Sequence, residues 1–138
     1  MIQALNFFEN KPFILISADV FSDYPFEKLL TQKRALDSGR VLGHLVMVDN
    51  PPHYPQGNFS LTPSSLLSLE GTKLNYAGIG IYHPQLFADY TPGYRKIGDV
   101  MHDAILKNKM TGEHYHGQWL NVDTPQRLAL AEQINLPN

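Results

Sequence analysis

The chain contains no cysteine, which excludes a disulfide framework and thiolate metal centres and suits a reducing compartment. Charge of one sign is scarce as well. With 11 Lys and Arg against 13 Asp and Glu, the formal net charge is −2, so no broad field would draw a nucleic acid or an anionic membrane. The longest apolar runs, Phe13 to Ile16 and Ala77 to Tyr82, fall far short of the ~20 residues that a membrane-spanning helix needs. No basic-then-apolar leader opens the chain, so the expected location is the cytoplasm. Neither a G-x-G-x-x-G nor a G-x-x-x-x-G-K-[ST] pattern occurs, so the common phosphate cradles of nucleotide-binding α/β domains are absent from these residues.

What is present describes one ordinary globular domain over residues 1–138, with 43% hydrophobic and 17% charged residues. Ile2, Leu5 and Phe8 stand at helical spacing, and Phe13-Ile14-Leu15-Ile16 then reads as a buried parallel strand ending at Ser17-Ala18-Asp19. Pro25 is placed to open a helix reaching about Ala35, with Phe26, Leu29 and Leu30 inward and Asp23 as its cap. Val41 to Val48 is expected to be a central strand. The prolines of Asp49 to Gly57 exclude a sheet ladder there. Short strands at Asn58 to Thr62 and Leu66 to Leu69 precede a longer one, Leu74 to Tyr82, and a short helical piece at Pro84. A helix would bury Ile97, Val100, Met101, Ala104 and Ile105. A strand from Glu113 to Val122 and a last helix started by Thr124-Pro125 complete the chain. Strands interleaved with helices predict an α/β class, a mixed, mainly parallel sheet flanked by helices.

Four places carry candidate chemistry. Asp19 ends a strand, where open α/β sheets bind ligands, and its carboxylate either suits magnesium or closes a turn. The loop Asn50 to Phe59 combines amides, a ring and a glycine, either as a sugar-recognition rim or as a stiff surface connection. Asn121 and Asp123 bring two oxygen-bearing side chains just before a helix, as cation ligands or as caps. His114 and His116, two apart on a strand, would share a face, but two histidines make a weak metal site where zinc takes three or four ligands. His53, His83 and His102 draw no assignment.

The strand-to-acid element Pro12 to Val20 with Asp23-Tyr24, the loop Asn50 to Phe59, the run Tyr76-Ala77-Gly78-Ile79-Gly80-Ile81-Tyr82 and the stretch Trp119 to Leu128 cover almost the whole chain in order. Together they resemble the nucleotidyltransferases that make nucleoside diphosphate sugars, nearest to uridylyl- and guanylyltransferase members. That resemblance implies a partial Rossmann-like, GT-A-like domain that lacks the family's N-terminal strand-loop-helix region. It implies Mg2+ as cofactor, held by Asp19 and by Asn121, which stands where the family's W-x-D-x-G-T-P pattern has aspartate; Asp123 replaces the glycine and is a third metal candidate. It places Gly57, Asn58, Gly78 and Ile79 around the sugar.

The implied partners are a sugar 1-phosphate and a nucleoside triphosphate, UTP or GTP, with no nucleic acid or membrane. Without the family's A-G-x-G-x-R loop, the implied chain is a truncated, C-terminal part that is inactive or nearly so alone. Uncovered apolar sheet surface would then favour a homo-oligomer. Two alternatives are a glycosyltransferase-type sugar-nucleotide domain, which would be expected to carry D-x-D where Asp19-Val20-Phe21 stands, and a non-catalytic carbohydrate-binding or assembly module.

Overall fold

The structure, a computed structural model, describes residues 11–52, 54–87 and 97–121. Four strands form the main sheet in the order β1 (Phe13–Ile16), β6 (Asn75–Tyr82), β3 (Gly43–Val48) and β7 (Met110–His114). Strands β1, β3 and β7 run one way and β6 runs against them, so the sheet is mixed and only the β3–β7 ladder is parallel. Small antiparallel pairs flank it: β2 (Val20–Ser22) with β8 (Trp119–Asn121), and β4 (Ser60–Leu61) with β5 (Leu67–Ser68).

Strand β3 is central, as the mixed apolar run Val41 to Val48 predicts; all six of its residues, His44 included, are buried between β6 and β7. Because successive side chains alternate across a sheet, Leu45 and Met47 face one side and Val46 and Val48 the other. The first side packs with Phe13, Tyr82 and the buried stripe Val100, Met101, Ala104 and Ile105 of helix α2 (Ile97–Leu106). The second packs with Ile79, Ile81 and Leu29 and Leu36 from the segment 26–37. None of the helices among the described residues is long and apolar enough to cross a membrane.

Several local expectations need correction. Strand β1 is antiparallel to its neighbour, and Ile14 and Ile16 remain 38% and 45% exposed, so it is not the buried parallel strand its apolar run suggests. The segment after Pro25 is a 3-10 helix, Phe26–Gln32, followed by the short helix α1, Lys33–Asp37. Leu29 of the 3-10 helix and Leu36 of α1 are buried, while Leu30, off the face that a three-residue period gives Leu29, is 55% exposed, and Phe26, at the first position of the helix, is 37% exposed.

Asp23 is no helix cap; its carboxylate accepts from Tyr115 Oη and from Gln118 N at 2.8 Å, fastening the β7–β8 connection. The predicted strand from Glu113 onward is two strands in different sheets, with β7 beginning at Met110. The first ten residues and the segment expected to form a last helix after Thr124-Pro125 lie outside the described residues.

Candidate functional site

Three strands sharing a direction deliver their carboxyl ends to one edge of the sheet. There a cavity of about 530 Å³ opens, lined among others by Ser17 and Asp19 after β1, Pro51, Tyr54 and Asn58 after β3, and Trp119 at the start of β8. Strand β6 supplies its inner wall with Asn75, Tyr76, Ala77 and Gly78.

That wall exists because β6 bulges. Between the pairs Leu45–Gly80 and Met47–Tyr76, β3 advances two residues while β6 advances four. Gly78 sits in the surplus with φ +78°, and a Cβ there would lie 2.7 Å from Ser17 Oγ and 3.1 Å from Val20 Cγ2. Only glycine accepts both the left-handed backbone and that approach. The bulge frees backbone groups for other partners: Ser17 N donates to Gly78 O at 2.8 Å, and Trp119 Nε1 donates to Ala77 O at 2.8 Å. One glycine thus docks both the Asp19 turn and the indole onto the same strand.

The proline loop is anchored to the lead-in of β6. Asn50 Nδ2 donates to Pro55 O at 3.1 Å and to Lys73 O at 2.9 Å. Asn58 N donates to Leu74 O at 2.7 Å, and Asn58 Oδ1 accepts from Tyr76 N at 2.7 Å. Since Tyr76 N–H can only donate, the Asn58 atom it meets is the carbonyl oxygen, and the amide's NH2 group is left to donate elsewhere.

Of the residues singled out in the sequence, Asp19, Asn58 and Gly78 meet at this cavity. Asp19 is exposed in the turn between β1 and β2. Asn121 pairs through its backbone with Val20, one residue beyond Asp19; its side chain is not described. Gly57 is buried with φ +75°, and a Cβ there would strike the Lys73 carbonyl at 2.8 Å, so it shapes the loop rather than lining the cavity. Ile79 is fully buried among Tyr24, Leu29 and Val46, so its side chain belongs to the core. Asp123 lies outside the described residues. An exposed carboxylate at the cavity rim is a hard oxygen donor of the type Mg2+ takes, so the residues present fit that cation.

Sequence reasoning did not single out Asn75 or Ser17, which β6 and β1 bring to the wall, because nothing local distinguishes them from other polar residues at strand ends. It also missed the polar cluster beneath the 26–32 segment. Glu113 Oε1 accepts from Tyr24 Oη at 2.6 Å and from buried His44 Nε2 at 3.1 Å, and Lys28 Nζ lies 3.3 Å from Oε2. Burial alone would push the Glu113 carboxyl up, but hydrogen bonds from His44 and Tyr24 and the charges of His44 and Lys28 together outweigh it, bringing the group down to about 2. Burial and then the Glu113 carboxylate push the Tyr24 phenol far above its ordinary range. Tyr115, by burial and its bond to Asp23, is raised to about 12.

No family model matches the chain. In sequence it is 34% identical over 136 residues to N-acetylmuramate alpha-1-phosphate uridylyltransferase of Neisseria meningitidis serogroup B, covering 96% of this chain and 58% of that protein. In structure it resembles a candidate glucose-1-phosphate thymidylyltransferase from Bacillus anthracis, solved with sucrose, at a TM-score of 0.75 and 15% identity over 99% of this chain and 61% of that one. It also resembles HddC from Yersinia pseudotuberculosis, at a TM-score of 0.70 and 16% identity over 96% of this chain and 59% of that one. Over almost all of its own length, then, the chain is similar in sequence to that uridylyltransferase and in fold to those two solved structures, and it spans about three fifths of the length of the proteins it matches.

Proposed function

We propose that this chain forms the sugar 1-phosphate and metal side of a nucleotidyl transfer. In that reaction a phosphate oxygen of the sugar 1-phosphate attacks the α-phosphorus of UTP or GTP in line, and pyrophosphate leaves as the bond to the β-phosphate breaks. The observation that carries the reading is the gathering of Asp19, Asn58, Tyr54 and Trp119 around one cavity beside the Gly78 bulge. No side-chain nucleophile is needed; the protein's part is positioning and charge.

The Asn58 amide donates to a sugar hydroxyl or phosphate oxygen, and the Tyr54 and Trp119 rings flank the apolar face of the sugar and exclude water. Asp19, with Asn121, would hold Mg2+. When bound, that ion neutralises phosphate charge and aligns the reacting groups. These 138 residues hold no glycine-rich phosphate loop, so the chain by itself binds the sugar side with little or no turnover.

Trp119 is the single tryptophan, so its fluorescence reports the cavity directly. Titration with N-acetylmuramate α-1-phosphate, chosen from the relative's substrate, should quench it in the presence of Mg2+. Asp19→Asn should weaken that binding by about 10–100-fold. Binding that needs no metal and survives Asp19→Ala would support a carbohydrate-binding module instead. Preference for an intact nucleoside diphosphate sugar over the sugar 1-phosphate would support a glycosyltransferase-type domain.

A further inference from the structure

Parallel pairing of β3 and β7 does more than build the core. Their register, Met47 opposite His114, brings the two carboxyl ends out side by side, and Tyr115 N donates to Met47 O at 2.7 Å. Asp49 therefore emerges beside His114, and His114 Nε2 donates to Asp49 Oδ1 at 2.8 Å. The His116 ring folds back over His114 with centroids 4.0 Å apart. One ligand atom from each of the three residues lies within 4.8 Å of the others. Sequence alone offered only the two histidines; the parallel ladder adds the carboxylate from 65 residues away.

We propose that Asp49, His114 and His116 form a site for a borderline divalent transition metal such as Zn2+, separate from the Asp19 carboxylate and independent of the proposed transfer. Two imidazoles and one carboxylate are the donor set that three-ligand zinc sites use, leaving a fourth position for water or a ligand. Tetrahedral zinc with bonds near 2.1 Å sets its ligand atoms about 3.4 Å apart. The three ligand atoms, all within 4.8 Å of one another, can reach that spacing by side-chain rotation, since His116 is exposed.

The placement also gives the site a consequence. Asp49 leads directly into the loop carrying Pro51 and Tyr54, His116 stands three positions before Trp119, and Pro51, Tyr54 and Trp119 all line the cavity. A metal here ties together the two segments that carry much of the cavity's rim.

The test uses the untagged, EDTA-treated 138-residue chain, titrated calorimetrically with Zn2+ alone and, in parallel, with Co2+ alone while visible absorption is recorded. One equivalent of each should bind, with Co2+ giving the bands of a low-symmetry nitrogen–oxygen site, and Zn2+ should raise the unfolding temperature. His116→Ala, at an exposed position, and Asp49→Asn, which keeps the side-chain shape, should each weaken Zn2+ binding at least about a hundredfold. Both should abolish the thermal shift, whereas His102→Ala, an exposed histidine on α2, should change neither. Absence of stoichiometric binding, binding indifferent to His116→Ala and Asp49→Asn, or binding lost instead in Asp19→Asn would overturn the site.

Discussion

On one face of the sheet, Phe13, Leu45, Met47 and Tyr82 meet helix α2 in a buried cluster of apolar and aromatic side chains. On the other, Val46, Ile79 and Ile81 share their layer with Tyr24, whose phenol is bonded to Glu113, itself held by His44 and Lys28. The first layer is held by burial, which does not depend on pH and tolerates no loss of volume. The second depends on partners remaining charged and paired, because a buried polar group without its partner is costly. The cavity, with its bulge at Gly78, lies at the carboxyl end of both layers, so its wall rests on the apolar core while its rim is fixed by hydrogen bonds.

The comparison breaks most sharply at Leu45. This side chain has no exposed surface and contacts the apolar cluster, so Leu45→Ala should destabilise the chain by about 3 kcal/mol, measured by urea unfolding. The loss should be equal at pH 7 and pH 3, since no titrating partner is removed. A smaller effect with a different signature is expected at Gly78. Forcing a Cβ into left-handed backbone against Ser17 in Gly78→Ala should cost about 2 kcal/mol. Because the bulge docks both Ser17 and Trp119, that variant should also shift the tryptophan emission toward that of exposed indole, which Leu45→Ala should not do while folded.

The apolar layer was the legible part of this molecule. Val100, Met101, Ala104 and Ile105 fall at helical spacing, and the unbroken apolar run from Leu45 to Val48 announces a central strand, because burial leaves a periodic trace in the sequence itself. The polar layer was hidden. His44, Glu113 and Tyr24 are 69 and 89 residues apart in the relevant pairs, and nothing near any of them announces the others.

The same limit explains why Asp23 reads as a cap beside Pro25 when its partners are Tyr115 and Gln118, and why Ile79 reads as pocket when the alternation of β6 turns it into the core. Asp19 was singled out by its place at a strand end and the loop carrying Asn58 by its amides and ring, whereas Gly78 was named only through the motif resemblance; none of the three was marked by periodicity. The bulge that makes Gly78 matter is a register shift, which no local pattern displays.

Glu113 gives the smallest expected effect and the cleanest discrimination between the two faces. Its folded value of about 2 lies below the ordinary 4.5, so the native state binds the proton less readily than the unfolded chain. Its contribution is therefore complete above about pH 4.5 and disappears as pH falls toward 2. Glu113→Gln keeps the side-chain shape and an oxygen that can still accept from Tyr24 and His44, so it removes the charge while retaining the contact.

The side chain is 25% exposed and its Lys28 partner 55%, so solvent screens part of the attraction, and the variant should lose about 1–2 kcal/mol at pH 7. Unfolding curves of the two proteins should converge between pH 4.5 and 2, because protonation of the native carboxyl reproduces what the substitution does. Parallel curves throughout that window would mean that the layer is held by the shape of Glu113 and not by its charge, which would remove the contrast between the two faces.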